Sequence, residues 1–315
     1  MFRNTKRWIP GILLLVCSYG FIAWKLIGFE ADFDGYFLNI LDSPIFLLVL
    51  ILSVFNILAE AVKWQMLVSY IKPVSLQKSV GMVLAGFTSG IFTPSKLGEP
   101  VGRVMSLPKE DWAKATLLNY FSGFLQNVVL LLMGFVFIGI MQQDGENIFR
   151  SVFYYSLLLL VFCLCMAVFI GVYKNRIWQR VQHFRILNKL LGIGTVLKEI
   201  KPLVHGKLML LSLVRYILYC SQLILLLMIF TQNNHYSEFV LLAPIYFMCI
   251  TMVPSFVLAD LGVRNSVGIL LFSTIQVDEV AVVLSVSLLY VINQIVPALL
   301  GSASILHLEK KRPVS

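Results

Sequence analysis

Six long apolar runs constrain the fold of this chain more than any other feature of its sequence. They cover about 8–27, 44–70, 115–141, 148–173, 208–231 and 280–306. A helix of about 20 apolar residues crosses the hydrocarbon core of a bilayer, and these runs do not alternate polar and apolar residues as barrel strands do. The composition agrees, because 59% of the residues are hydrophobic and 13% are charged, whereas soluble domains carry about 45–50% and about 25%. The sequence therefore predicts an all-α polytopic membrane protein with about six full spans.

The basic residues are distributed unevenly, and their distribution predicts the orientation of the spans. Lys and Arg total 25 against 16 Asp and Glu, a net charge of +9. Twenty of the 25 bases fall in the N-terminus, residues 72–114, residues 174–207 and the C-terminal tail. Nine acids and no base fall in the turns 28–43, 142–147, 232–238 and 275–279. Because cytoplasmic loops are rich in Lys and Arg, we expect both termini to be cytoplasmic and the excess charge to reflect topology rather than nucleic acid.

One basic stretch has the pattern of a helix that lies on a membrane surface. Residues 174–207 hold eight Lys and Arg, and apolar residues recur between them at helical spacing from Ile177 to Leu191. A helix with a basic face and an apolar face lies in the bilayer interface and is attracted to anionic lipid headgroups. We therefore predict an interfacial amphipathic helix over 174–206.

Two short segments, within 79–107 and 238–275, resemble each other and interrupt the pattern of full spans. They read GFTSGIFTPSKLGEPVGRV and FMCITMVPSFVLADLGVRN, and they share P-S-x(2–3)-[GA]-[ED]-x-x-x-R. The charge distribution gives them opposite orientations, and paired broken segments of this kind indicate a transporter built from inverted repeats. We predict one membrane domain over 1–315, with halves at about 1–141 and 207–306. The predicted hinges of the broken helices are Pro94, Gly98, Pro254 and Gly262.

Each broken segment carries an acid and an arginine one helical turn apart, namely Glu99 with Arg103 and Asp260 with Arg264. Residues four apart on a helix can pair, and an arginine fork matches the oxygens of a phosphate. The two pairs are therefore candidate binding residues for an anionic headgroup. Alternatively, they are structural clamps that only hold the broken helices at the membrane edge.

Polar side chains also line one face of several full spans. They are Asn119, Ser122 and Gln126 on the third, Arg215, Tyr219 and Gln222 on the fifth, and Ser287, Tyr290 and Gln294 on the sixth. Such stripes face the interior of a bundle, where they either contact a substrate or form interhelical hydrogen bonds. Glu60 and Lys63, near the inner end of the second span, are interpreted as a local pair or as charges that snorkel to the interface.

Cysteine and histidine give no sign of a metal site, a cofactor or a disulfide framework. The five cysteines (Cys17, Cys163, Cys165, Cys220 and Cys249) lie in apolar runs, and the four histidines are scattered. Buried cysteines usually behave as small apolar residues. No catalytic nucleophile or nucleotide-binding motif is present, so an enzyme is not expected.

The two broken motifs resemble the signatures of the lysylphosphatidylglycerol synthetase transmembrane-region family, a flippase-like membrane domain. The first signature matches at Pro94, Gly98, Glu99 and Arg103. The second matches at Pro254, Gly262 and Arg264, but Ala259-Asp260 stands in place of a Gly pair and Asn265 in place of an acid.

The resemblance covers nearly the whole chain, and it implies a polytopic inner-membrane protein that moves a lipid, such as an aminoacylated phospholipid or another amphiphile, between leaflets. For this chain we expect the lipid to be an anionic phospholipid or a polyprenyl-linked lipid, and the membrane to be the bacterial inner membrane. In the synthetases a soluble aminoacyl-transfer domain follows the membrane part. Since this chain ends at Ser315, lipid aminoacylation is not expected.

Two other functions remain open from the sequence. Asp32 and Asp34 stand two apart in the first outer loop and can together hold a divalent cation, as a polyprenyl-phosphate-dependent glycosyltransferase would require. Alternatively, the basic helix recruits a partner lipid-modifying enzyme, and the chain is a membrane scaffold.

Overall fold

All regular structure in the described residues is helical. The computed structural model describes residue 40 and residues 43–91, 93, 96–141, 196–231, 236–253 and 257–302. The helices are α1 (Pro44–Val68), α2 (Leu76–Ile91), α3 (Glu99–Val104), α4 (Trp112–Met141), α5 (Pro202–Thr231), α6 (Tyr236–Met252), α7 (Val257–Phe272) and α8 (Glu279–Tyr290).

Four helical segments of the described chain are long and apolar enough to cross a membrane. They are Pro44–Val68, Lys109–Met141, Pro202–Thr231 and Glu279–Ser302. Each coincides with a run that the sequence predicts as a full span, so four of the six predicted spans are confirmed as helices of that kind. The runs at 8–27 and 148–173 lie outside the described residues.

The fourth of these segments continues from α8 through a π-helical turn, Val291–Ile295, toward Ser302. The widened turn ends where the amide of Val296 donates to the carbonyl of Val291, five residues earlier. Pro297 follows, and a proline has no amide hydrogen and clashes with the carbonyl four residues before it. The helix accommodates this proline by widening one turn instead of ending. Single widened turns of this kind are frequent at functional sites.

The first broken segment folds as a hairpin of α2 and the short helix α3. Pro100 lies at the start of α3, where a proline is favoured because its missing amide hydrogen has no partner there in any case. The two helices pack closely because glycines face the contact. A Cβ at Gly102 would overlap the carbonyl oxygen of Ala85, and one at Gly86 would lie 2.7 Å from Cγ of Arg103.

The second broken segment, formed by α6 and α7, differs from its predicted form. Gly262 does not lie at a hinge, because α7 runs without interruption from Val257 to Phe272. One glycine costs a helix only about 1 kcal/mol, and the nearby leucine and alanine residues are good helix formers. The interruption therefore falls before Val257, and the Asp260 and Arg264 motif lies on the first two turns of α7.

The predicted interfacial helix over 174–206 can be compared with the structure only from residue 196 onward. Residues 142–195 lie outside the described chain, and the described end of the helix differs from its prediction. A helical turn covers 196–199, and α5 begins at Pro202. Residues 202–206 therefore belong to the following span, because Pro202 starts a new helix.

Two apolar clusters pack at different levels of the long helices. One contains Trp64 of α1, Leu118 of α4 and Leu208 of α5, and the other contains Val49 of α1, Val129 of α4 and Leu223 of α5. Between these levels, the same three helices carry polar or charged residues that the structure largely buries. These residues are Asn56, Glu60, Gln126, Ser212 and Arg215.

Candidate functional site: a charged cavity between the broken helices

A cavity of about 870 Å³ lies next to this polar level. Its lining includes both predicted acid–arginine pairs, so the structure brings the two motifs to one cavity although the chain separates them by about 160 residues. Eleven residues of the predicted pairs and polar stripes line it, namely Glu99, Arg103, Asp260, Arg264, Arg215, Asn119, Ser122, Gln126, Tyr219, Tyr290 and Gln294.

Arg103 of the first motif contacts carboxylates on two different helices. Its guanidinium pairs with Glu99, one turn earlier on α3, and its Nη1 lies 2.7 Å from Oε1 of Glu60 on α1. The guanidinium also lies over the ring of Trp64, 5.4 Å from the ring centroid. The Arg103 side chain is buried by these contacts, so the local pair that the sequence predicts is part of a larger cluster.

Glu60 is the centre of that cluster. Its second oxygen, Oε2, pairs with Arg215 of α5 and lies 3.7 Å from Nζ of Lys63. One carboxylate is thus shared by three cations, which offset the cost of burying its charge. The local pair between Glu60 and Lys63 is present, but the side chain of Lys63 is fully buried and does not snorkel to an interface.

The second motif forms its own pair at the same cavity. Nε of Arg264 lies 3.1 Å from Oδ2 of Asp260, one turn away on α7, and the guanidinium lies 5.6 Å from the ring centroid of Tyr290 on α8. The following residue, Asn265, donates to the hydroxyl of Ser287 on α8 at 3.0 Å. The motif is therefore held against α8, as the first motif is held against α1.

A ladder of buried amides extends from Arg215 away from the cavity. Nε of Arg215 donates to Asn56 at 2.8 Å, the amide of Asn56 donates to Asn293 at 3.3 Å, and Asn293 donates to Gln222 at 3.2 Å. Gln222 in turn donates to the carbonyl of Val49 at 3.0 Å. Gln222, a predicted substrate-binding residue, is absent from the cavity lining and makes interhelical hydrogen bonds instead.

Three further predicted polar residues, Gln126, Asn119 and Gln294, lie on the cavity wall. Gln126 accepts from Lys63 at 3.2 Å and donates to the carbonyl of Ser212 at 3.1 Å, so it links α1, α4 and α5. Asn119 lies about two turns earlier on α4 and also lines the cavity. Gln294, in the π-helical turn, accepts from Nζ of Lys96 at 2.8 Å.

Of the predicted hinges, only Gly98 is both described and placed at a break. It immediately precedes α3 with a φ of −81°, which any residue adopts. Its need for glycine is steric, because a Cβ would lie 2.5 Å from the carbonyl oxygen of Ser89 and 2.7 Å from Cγ2 of Thr93. Pro94 and Pro254 lie outside the described residues.

Three charged residues of the cavity, Glu60, Lys63 and Lys96, are absent from the sequence-based prediction of the site. A carboxylate inside an apolar run is itself a sign of function, because ionisable groups at membrane depth are expensive, so Glu60 could have been recognised. Lys96 carries no comparable signal, since a lysine in a polar turn is ordinary.

The charges of the cavity sum to an excess of positive charge. Five bases line it, namely Lys63, Lys96, Arg103, Arg215 and Arg264, against the three acids Glu60, Glu99 and Asp260. A cavity with low-dielectric walls and one sign of excess charge concentrates ligands of the opposite sign. Each acid is within ion-pair distance of an arginine, and in the described part of the chain no cluster of three or more His, Cys, Asp or Glu side chains is arranged to hold a metal ion.

The sequence as a whole matches one family of membrane proteins. None of the curated proteins matches the chain. The family model described as lysylphosphatidylglycerol synthase TM region matches residues 12–301, a range that includes all eight helices and every residue of the cavity. The chain therefore belongs to the lysylphosphatidylglycerol synthase transmembrane-region family, and it is a multi-pass membrane protein.

Proposed function

We propose that the protein binds the headgroup of an anionic phospholipid or polyprenyl-linked lipid in this cavity and moves that lipid between the leaflets of the bacterial inner membrane. The observation that carries the proposal is the convergence of both acid–arginine motifs and Arg215 on one cavity with excess positive charge. We further propose that the protein is a transporter and not an enzyme.

The position of the charges along the helices supports transport across the bilayer. Gln126 and Arg215 lie near the middle of the 30-residue helices α4 and α5, about 20 Å from either end at a rise of about 1.5 Å per residue. If these helices span the membrane, both residues are near its midplane, where charged groups mark substrate pathways. The cavity volume is in the usual range of ligand sites, about 300–1,000 Å³, and suits a headgroup whose acyl chains stay in lipid.

The order of the helices supports an inverted repeat. In each half a long helix is followed by two shorter ones and then by another long segment, with α1 to α4 in the first half and α5 to α8 in the second. In transporters of this kind the substrate site lies between the repeats and is formed by broken helices. With the basic segments inside, both termini are cytoplasmic in this proposal.

A translocation assay on reconstituted protein tests the proposal. The purified full chain is placed in liposomes that contain a trace of fluorescent phosphatidylglycerol, and the fraction of label that an external reductant reaches is followed over time. We expect the protein to expose label from the inner leaflet faster than protein-free liposomes do. Fluorescent phosphatidylcholine, which has no net charge, should move more slowly.

Two variants make the assay specific for the cavity. Arg264→Ala removes a cation from the lining and should abolish movement of phosphatidylglycerol. Lys78→Ala removes a cation from the exposed side of α2 and should leave it unchanged. Transfer no faster than in protein-free liposomes contradicts lipid movement, and equal transfer of both lipids contradicts selection for anionic headgroups.

A further inference from the structure

Lys96 lies in the interruption between α2 and α3 with an unusual backbone conformation. Its φ is +58°, in the left-handed region that residues other than glycine rarely adopt because their Cβ is crowded there. Such conformations persist where the surrounding structure holds them and are concentrated at functional sites. At Lys96 the side chain lies in the lining of the cavity.

The partner of Lys96 is a neutral amide. Its ammonium donates to Oε1 of Gln294 at 2.8 Å, and within the described residues no carboxylate lies within ion-pair distance of it. The other four cations of the cavity each have a carboxylate partner: Glu60 for Lys63, Arg103 and Arg215, and Asp260 for Arg264. Lys96 therefore carries cavity charge that no described acid neutralises.

Gln294 connects Lys96 to the buried ladder. It is in the π-helical turn of the last span, next to Asn293, whose amide bonds to Asn56 and Gln222. The widened turn thus presents Asn293 to the interior of the helix bundle and Gln294 to the cavity. The contact between Lys96 and Gln294 joins the first broken segment to the last span across 198 positions of the chain.

We propose that Lys96 binds the phosphate of the anionic lipid, and that it exchanges the Gln294 carbonyl for a phosphate oxygen when it does so. The inference rests on the proposed function and deepens it. A lysine ammonium is a compact charge on a flexible stem and binds phosphate as a point charge. The arginines highlighted by the motifs keep their carboxylates and shape the cavity around the headgroup.

Lipid binding by the purified full chain in detergent tests this role, with a short-chain phosphatidylglycerol as the probe and the dissociation constant as the readout. Lys96→Gln removes the charge and keeps a side chain of similar length, and it should weaken binding by about 10–100-fold, the range for one charge-assisted hydrogen bond. Lys96→Arg should retain most of the affinity. Lys78→Gln is the matched control and should bind as the native protein does.

Gln294→Leu separates a ligand contact from a structural one. If Gln294 competes with the lipid for Lys96, its removal should leave the affinity unchanged or raise it. If the bond between the two side chains only fastens the broken segment, both variants should weaken binding by a similar factor, and that result would overturn the inference.

The source of the phosphate is tested by competition with glycerol phosphate, which has the charge but no acyl chains. We expect it to displace the lipid only at far higher concentration. Equal competition would assign the site to a free phosphate compound and overturn the lipid assignment. Native affinity for phosphatidylglycerol in Lys96→Gln would overturn the role of Lys96 and leave the proposed function standing, whereas equal binding of phosphatidylcholine by the native protein would overturn both.

Discussion

Glu60 and Arg103, 43 positions apart in the sequence, form a buried ion pair in which Oε1 lies 2.7 Å from Nη1. Their side chains are 6% and 2% exposed, so each charge is stabilised by its protein partners and not by water. The pair ties the first broken segment to the preceding span, and the other oxygen of Glu60 ties that span to Arg215 of α5. One carboxylate thus joins three helices at the wall of the cavity.

Replacing this shared carboxylate is expected to be costly. Glu60→Gln leaves Lys63 and Arg215 without the carboxylate that pairs with them. Removing one partner of a buried ion pair typically costs about 3–5 kcal/mol. We expect the free energy of unfolding, measured by denaturant titration in mixed micelles, to fall by that amount.

The matched control for this variant is Glu110→Gln, which makes the same change on an exposed residue in the turn before α4. Surface substitutions usually change stability by less than about 0.5 kcal/mol. Equal effects of the two variants would contradict a structural role for the cluster around Glu60.

The close packing of α2 on α3 leads to a second prediction. Gly102→Ala places a Cβ against the Ala85 carbonyl oxygen and the Ser89 hydroxyl, and that hydroxyl accepts the Gly102 amide at 3.0 Å. Overpacking of this kind costs about 1–3 kcal/mol. We expect a lower unfolding midpoint and, because Arg103 is the next residue, weaker lipid binding as well.

Gly81→Ala is the control on the same hairpin, since a Cβ there meets no described atom within 4 Å. Alanine favours helix over glycine by about 1 kcal/mol, so this variant should be as stable as the native protein or more stable. A stabilising effect of Gly102→Ala would show that the two helices are farther apart than the structure has them.

The local parts of the site were predictable from the sequence, and the tertiary parts were not. The pair between Glu99 and Arg103 follows from four-residue spacing on one helix. The pair between Glu60 and Arg103 depends on how α1 and α3 pack, which no local spacing encodes. Lys96 was missed for a related reason, because its backbone is left-handed at the cavity wall, and the sequence PSKLG does not reveal that conformation.

Gln222 illustrates the limit of reasoning from helix faces. It lies seven residues after Arg215 and so shares its face of α5, as the sequence predicts. Seven residues also advance a helix by about 10 Å, which moves Gln222 from the level of the cavity to that of the ladder with Asn293 and Val49. Periodicity gives the direction of a side chain, but its neighbours are set by depth along the bundle.

Membrane topology gives a third prediction, based on the distribution of charge. The turn before α4 belongs to a basic segment, and the turn before α8 is acidic, so the first should be cytoplasmic and the second external. Glu110→Cys and Gln276→Cys place thiols at exposed positions in these turns. In intact cells a membrane-impermeant maleimide should label only Gln276→Cys, and labelling of Glu110→Cys would contradict the inverted-repeat proposal.

Charge exchange within each motif gives the last prediction, and the two motifs should respond differently. In the double variant Glu99→Arg and Arg103→Glu, the local pair is kept, but a carboxylate now faces Glu60 where a guanidinium lay. Two like charges in a buried site repel strongly, so this protein should be much less stable than the native one. In Asp260→Arg and Arg264→Asp, the local ion pair is also kept, and its arginine loses contacts such as that of Arg264 with the ring of Tyr290, worth about 0.5–2 kcal/mol for a cation–π pair. This protein should therefore lose less stability than the first double variant. Unfolding midpoints of both double variants, measured together in one detergent, test the difference. Equal unfolding midpoints would show that Glu60 does not require a positive charge at position 103.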